Sequence, residues 1–251
     1  MNLELSGKNA VITGASKGIG RSIALALAQE GANVAICSRG EEALHAAEKE
    51  MLESGVKVFA SSCDVGNRQL LNEFLENARN KLGSIDILVN NVSALSFGDE
   101  AADWEASLNL DLMAGVWTTQ KVVPWMIESG GGSILFISSI SGLESGSPAS
   151  YAAAKAAIIS YSKNMAVQLA PKHIRVNTIA PGAIEFAGGS WDMVKQHNRP
   201  FYDSMLGSIP SGRMGIPQEV GNVAAFVVSP RANWITGACI PVDGGQHRFN
   251  L

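Results

Sequence analysis

The chain has 251 residues, 46% hydrophobic and 17% charged, enough apolar material to bury a sizeable core in one α/β domain and too much for a disordered or fibrous chain. A net charge of -4, with basic residues scattered, leaves no electrostatic footprint for nucleic acid or an anionic membrane. Cys37, Cys63 and Cys239 lie far apart with no CxxC or Cys/His spacing, which predicts buried free thiols and neither a disulfide framework nor a metal site.

The amino-terminal MNLELSGKNAV has no basic segment leading into a long apolar run, and no stretch has the length of a membrane span, so the expected location is the cytoplasm. Lys8 to Thr13 reads as the first strand, followed by Gly14-Ala15-Ser16-Lys17-Gly18-Ile19-Gly20 and an Ala/Leu helix from Arg21 to Glu30. In that order, glycines let backbone amides at a helix start approach a phosphate, because no side chain stands in the way. Asn33 to Cys37 is the second strand. An acidic residue at its tip would accept hydrogen bonds from the ribose of NAD and repel a 2'-phosphate. The tip reads Ser38-Arg39, and Arg39 with Lys17 could bracket a phosphate, so NADP(H) is the expected cofactor.

Glu41 to Ser54 is an amphipathic helix, Val56 to Ser62 a third strand ending at Cys63-Asp64-Val65, and Asn67 to Leu82 a helix with Asn67 as its N-cap. Ile85 to Val89 is the fourth strand, running into Asn90-Asn91-Val92-Ser93. Strict alternation predicts a single-domain Rossmann fold, a doubly wound parallel sheet with helices on both faces. Ligands bind such sheets at the carboxyl ends of the strands, so Ser38, Asp64, Asn90 and Ser139 should line one crevice. Asp103 to Glu128 reads as one long helix containing Trp104, Asn109, Asp111, Trp117 and Pro124, and Gly132 to Ser139 as the fifth strand. Ile174 to Ala180 is the sixth, ending at Pro181-Gly182. Residues 183–217 have no clean period and are too long for an ordinary connection, which suggests a substrate lid with short helices. Gln218 to Ser229 is a helix and Ile235 to Asp243 the seventh strand.

The chemistry centres on Tyr151-Ala-Ala-Ala-Lys155, at the head of a segment without Gly or Pro until Pro171. On a helix the two side chains lie one turn apart on one face. A phenol is a poor acid at neutral pH unless a nearby cation stabilises its phenolate, which a lysine four residues on is placed to do. The apolar run GSILFISS delivers Ser138 and Ser139 to the same region.

These pieces resemble the short-chain dehydrogenase/reductase family over essentially the whole chain: TGASKGIG at 13–20, CDV at 63–65, NN at 90–91, ISS at 137–139, YxxxK at 151–155, RVNTIAPG at 175–182 and ITGACIPVDGG at 235–245. The resemblance implies that Ser139 polarises a substrate carbonyl, Tyr151 is the acid/base, and Lys155 holds the nicotinamide ribose and depresses the Tyr151 pKa. It implies Asp64, with Val65, at the adenine, Asn90 at the ribose, and the segment after Pro181, through the backbone of Ile184, at the carboxamide. Ser139 is chosen over Ser138 by its spacing to Gly142, although its separation from Tyr151 is one shorter than usual, and both stay open.

Asp111 aligns with the family's asparagine. A carboxylate there could hold the relay water while opposing a tyrosinate, with an altered pH profile as the result. Phe186 stands where a threonine often bonds the carboxamide, and Val92-Ser93 replaces the usual Ala-Gly after NN.

Leu95, Phe97, Leu143, Phe186, Trp191, Phe201, Tyr202 and Met205 fall in segments that border the family's pocket, which suits a hydrophobic cyclic or aryl ketone. The expected activity is NADPH-dependent ketone reduction to an alcohol. A 3-oxoacyl-(acyl-carrier-protein) reductase is the alternative within the fold, disfavoured by the acidic or neutral Ile127-Glu128-Ser129-Gly130 where a carrier would meet basic residues. A non-catalytic NADP-binding protein is the alternative of another class, and it sits poorly with an intact Tyr151 and Lys155. The resemblance also implies a homotetramer built on the long helix, the Tyr151 helix and the last strand, and a tail from Gln246 to Leu251 that could reach a neighbouring pocket.

Overall fold

The computed structural model describes residues 2–249. Seven parallel strands form one sheet: β1 (Asn9–Thr13), β2 (Asn33–Ser38), β3 (Val58–Ser62), β4 (Ile87–Asn90), β5 (Gly132–Ile137), β6 (Ile174–Pro181) and β7 (Cys239–Val242). Their spatial order is β3-β2-β1-β4-β5-β6-β7. The first three strands run outward one way from β1 and the rest the other way. The direction reverses between β1 and β4, whose carboxyl ends therefore open onto a crevice.

The inner strands β1, β4 and β5 are nearly continuous buried runs because both sheet faces are covered there, while the edge strands β3 and β7 are only partly buried. Ile12 and Ile36 face a core shared with α1 (Gly18–Gln29), α2 (Glu41–Leu52) and α9 (Pro217–Val228), through Ile23, Leu27, Met51 and Val220. Their neighbours Val11 and Ala35 face the opposite core. There Phe74 of α3 (Arg68–Leu82), Val122 of α5 (Ala114–Glu128) and Ile158 of α6 (Ala149–Leu169) are buried. Asn67 caps α3 by accepting from the amides of Gln69 and Leu70.

Four segments differ from the expectation by more than two residues or in kind. The first helix starts at Gly18 and not Arg21, so the glycine loop is also its first turn. The sixth helical segment starts at Ala149, ahead of Tyr151. The single helix expected over 103–128 is instead α4 (Ala101–Ser107), a π-helical stretch from Leu108 to Met113, and α5. The widened turn changes the side-chain phase, leaving Asp111 5% exposed. The last strand starts at Cys239 and not Ile235, because Gly237 turns at φ +72° and the Ile235 carbonyl accepts from Arg175 and Asn177. Residues 183–217 contain two short helices, α7 (Ser190–His197) and α8 (Arg199–Ser208).

Candidate active site

The glycine loop is fixed from behind by Asn91, whose side-chain amide donates to the carbonyls of Thr13 (3.1 Å) and Gly14 (3.0 Å). A Cβ on Gly20 would stand 2.4 Å from both that nitrogen and the Gly14 oxygen, so only glycine fits. Helix α1 begins after Lys17 with no side-chain cap and no acidic residue in its first turn. Its leading amides, from Gly18, Ile19 and Gly20, lie beside Ser16 and are free to meet an anion. Lys17 and Arg39 are exposed and make no salt bridge with described residues. Ser38 donates to the Gly40 carbonyl at 3.1 Å, which shapes the β2 tip.

Arg39 and Asp64 line an open cavity of about 680 Å³ together with Asn67, Arg68, Asn109 and Trp117. The Asp64 carboxylate accepts from the Gly66 amide at 3.0 Å, and Val65 beside it is buried. Asn90 accepts from Thr118 at 2.5 Å, which leaves its own buried side-chain nitrogen without a partner. Past Pro181, Gly182 bonds Val242 and Ala183 bonds Gln246, while Ile184 is pinned by a bridge to Gly215. An uncapped helix start behind a glycine turn and an orphaned buried amide together fit a nicotinamide dinucleotide.

At the centre Lys155 is 2% exposed. Its Nζ lies 2.9 Å from Asp111 Oδ1, donates to the Ile137 carbonyl at 3.1 Å, and stands 5.5 Å from the Tyr151 ring centre. Burial alone would pull this ammonium down, but the Asp111 charge, then Tyr151 and the direct contact, outweigh it and hold the lysine above its ordinary value. Asp111, expected near Lys155, pairs its carboxylate with that ammonium directly.

The two serines separate clearly. Ser138 Oγ donates to the Lys155 carbonyl at 2.8 Å and is used up inside the fold. Ser139, half a strand period on, faces the other way at the head of a short 3-10 turn, where it accepts from the Ser141 amide at 3.1 Å. That turn lies close against α6, since a Cβ on Gly142 would be 2.7 Å from the Lys155 carbonyl carbon. Leu143 ends the same turn.

Over Tyr151 stands the loop that carries Leu95 and Phe97, both expected at the border of the pocket. The Phe97 ring meets Tyr151 edge to face, centroids 5.7 Å apart, and remains 54% exposed. Leu95, 48% exposed, holds φ +50°, a left-handed conformation that costs an L-residue about 1–2 kcal/mol.

The lid residues divide. Tyr202 was expected in the substrate pocket, but it is buried with Ala183, Ile209 and Met214 inside the lid, its hydroxyl donating to Glu185 at 2.5 Å. Lys195 holds the other Glu185 oxygen at 2.6 Å, and these two contacts lower the Glu185 pKa. Trp191 and Phe201 stack at 5.9 Å, and with Met205, Trp191 packs on the lid core. Phe186 lies on the glycine loop: a Cβ on Gly18 would be 2.4 Å from the tip of its ring. The described part of the tail folds onto its own chain, where Arg248 bonds Glu144 and the Ser208 carbonyl. Asn250 and Leu251 lie outside the described residues. Among the described residues no group of three or more His, Cys, Asp or Glu could hold a metal, and no helix is long and apolar enough to cross a membrane.

The comparisons agree with this geometry. Residues 14–247 match the family described as enoyl-(acyl carrier protein) reductase. The chain is 38% identical over 249 residues to 7α-hydroxysteroid dehydrogenase of Escherichia coli K12, covering 97% of this chain and 96% of the relative. It is equally 38% identical to the 3-oxoacyl-[acyl-carrier-protein] reductase FabG of Thermotoga maritima, covering 97% and 99%. Among solved structures, 7α-hydroxysteroid dehydrogenase complexed with NADH and 7-oxo glycochenodeoxycholic acid superposes with TM-score 0.91 at 37% identity, covering 97% and 96%. L-sorbose reductase from Gluconobacter frateurii, complexed with NADPH and L-sorbose, superposes with TM-score 0.92 at 32% identity, covering 99% and 100%.

The chain belongs to the short-chain dehydrogenase/reductase family. It is an oxidoreductase acting on hydroxyl and keto groups.

Proposed function

We propose that the enzyme reduces a hydrophobic cyclic or aryl ketone to a secondary alcohol with NADPH. The observation that carries this reading is the half-exposed Phe97 ring set edge-on against Tyr151, which gives the proton-transferring group an aromatic wall. The steroid relative points the same way.

In this reading the glycine loop and the α1 amides bind the pyrophosphate, Lys17 and Arg39 the 2'-phosphate, and Asp64, Val65 and Asn90 the adenosine. When bound, the nicotinamide supplies hydride to a carbonyl carbon or takes it from a carbinol carbon. Tyr151 Oη gives its proton to the carbonyl oxygen in reduction and removes it in oxidation. Ser139 Oγ donates a hydrogen bond to the same oxygen, and Lys155 stabilises negative charge developing on Oη. Leu95, Leu143 and Phe97 wall the substrate, while Trp191 and Phe201 form the lid over it.

A carrier-bound substrate is the second reading, favoured by the FabG relatives. Against it, Glu128 ends α5 and contacts Arg79 at 2.7 Å, so that cation is already paired with a carboxylate. We also infer a homotetramer in the cytoplasm. Support comes from Trp234, 100% exposed at the turn before edge strand β7, and Val167, 69% exposed on α6.

The test is NADPH and NADH oxidation over a panel of cyclic and aryl ketones that includes an acetoacetyl thioester. Turnover of free ketones, with NADPH preferred, is expected. A thioester preferred over every free ketone would move the assignment to acyl-chain chemistry.

A further inference from the structure

We propose that Asp111 is a positioning residue for the substrate: its carboxylate fastens the loop at residues 92–98, which sets Phe97 on Tyr151, to the buried ammonium of Lys155. The proposal rests on the ketone-reductase reading above.

The two carboxylate oxygens have different partners. Oδ1 faces Lys155 Nζ at 2.9 Å, and Oδ2 accepts from the Ala94 amide at 3.1 Å. One partner is a cation and the other an N–H donor, and a carboxylate offers a negatively charged oxygen to each. The asparagine usual in the family has one carbonyl oxygen and one NH2, so with the same two partners it would turn N–H groups towards one of them. The departure from asparagine thus allows one side chain to hold the lysine and the loop together.

The loop gives this anchor its leverage. Ala94 immediately precedes Leu95, which at φ +50° persists only where its surroundings over-determine it. Further along, Ser96 donates to Asp103 at 2.5 Å and the Gly98 carbonyl accepts from Ser150 at 2.9 Å. These later ties hold the loop to α4 and to the residue before Tyr151. Asp111 supplies the tie to Lys155. Leu95 and Phe97, both about half exposed, lie between the anchors and form the wall a substrate would touch. Releasing the first anchor frees that wall and leaves the α1 phosphate site alone.

The experiment is Asp111→Asn, read in three ways. The ketone KM should rise about tenfold, and exchange of the 94–97 amides with solvent deuterium should speed up by about the same factor, the loss expected for a hydrogen bond to a charged acceptor. The dissociation constant for NADPH, followed by its fluorescence, should change less than the ketone KM, since the phosphate site at α1 is untouched. Unchanged KM and unchanged exchange overturn the proposal even if kcat falls, because Asp111 would then act on Lys155 alone. Wild-type exchange supplies a test that needs no variant: the Ala94 amide should be the slowest within 92–98, and exchange as fast as its neighbours equally overturns the proposal. Silence with every ketone would refute the reductase reading while the exchange result still stood.

Discussion

Lys155 and Lys195 each contact a carboxylate, at 2.9 Å and 2.6 Å, yet the first pair is 2% and 0% exposed in its side chains and the second 41% and 25%. Separation is nearly the same, and burial decides what each contact does. In the crevice floor neither charge has water to fall back on, so removing one partner strands the other. In the lid both partners are partly solvated, and their attraction is modest and screened by salt. The buried pair is therefore costly to break and the lid pair cheap.

The largest effect expected in the floor is on rate. Tyr151→Phe removes the hydroxyl proposed as proton donor while keeping the ring against Phe97, so kcat should fall by about a hundredfold to ten-thousandfold. NADPH affinity and the circular dichroism spectrum should be unchanged. Retention of full turnover would remove Tyr151 from the proton step and, with it, the contrast in chemistry between floor and lid.

Next in size is stability. Lys155→Met leaves the buried Asp111 carboxylate without its cation and should cost about 3–5 kcal/mol in denaturant unfolding. The pH dependence follows in sign. The folded lysine holds its proton above the ordinary value, so its contribution is fully present below about pH 10.4 and is lost as pH rises through the folded pKa. Wild-type stability should decline above that pH more steeply than that of Lys155→Met. Parallel curves for the two would mean the buried pair adds nothing specific.

Much of the floor was legible in the sequence because short-range chemistry specifies it. A glycine loop must lie between strand and helix, Tyr151 and Lys155 must share a helical face, and apolar runs must be buried strands. What stayed hidden depended on phase and on long-range contact. The π turn at 108–113 leaves no mark in apolar spacing, yet it brings Asp111 inward onto Lys155. Ser138 and Ser139 could be told apart only once the strand's alternation and the turn after it were fixed, since one residue of shift exchanges their directions. Tyr202 illustrates the opposite failure: an aromatic in a lid segment reads the same whether it faces the crevice or the lid's interior. Thr118 and Asn91, which orient Asn90 and the glycine loop, sit 28 and 77 residues from those partners, beyond any local pattern.

The smallest effect is expected in the lid. Tyr202→Phe removes the hydroxyl that donates to Glu185 and leaves Lys195 as the main support of that carboxylate. Because the group is partly solvated, the global cost should be about 1 kcal/mol or less. The local consequence is in acid. Glu185 is lowered by Lys195 and Tyr202, so its hold on the lid is present above the ordinary glutamate value of about 4.3 and is lost as pH falls through the folded pKa. Losing one support raises that folded value, and the lid of Tyr202→Phe should loosen at a higher pH than the wild type. Limited proteolysis within 185–210 by an acid-active protease reads this directly. A shift of the cleavage onset to higher pH, with the 92–98 loop uncut and Tyr151 chemistry intact, would place the lid's weakness in its solvated ion pair. Cleavage of both segments at the same pH would instead mean that floor and lid open as one body, and that burial does not divide them.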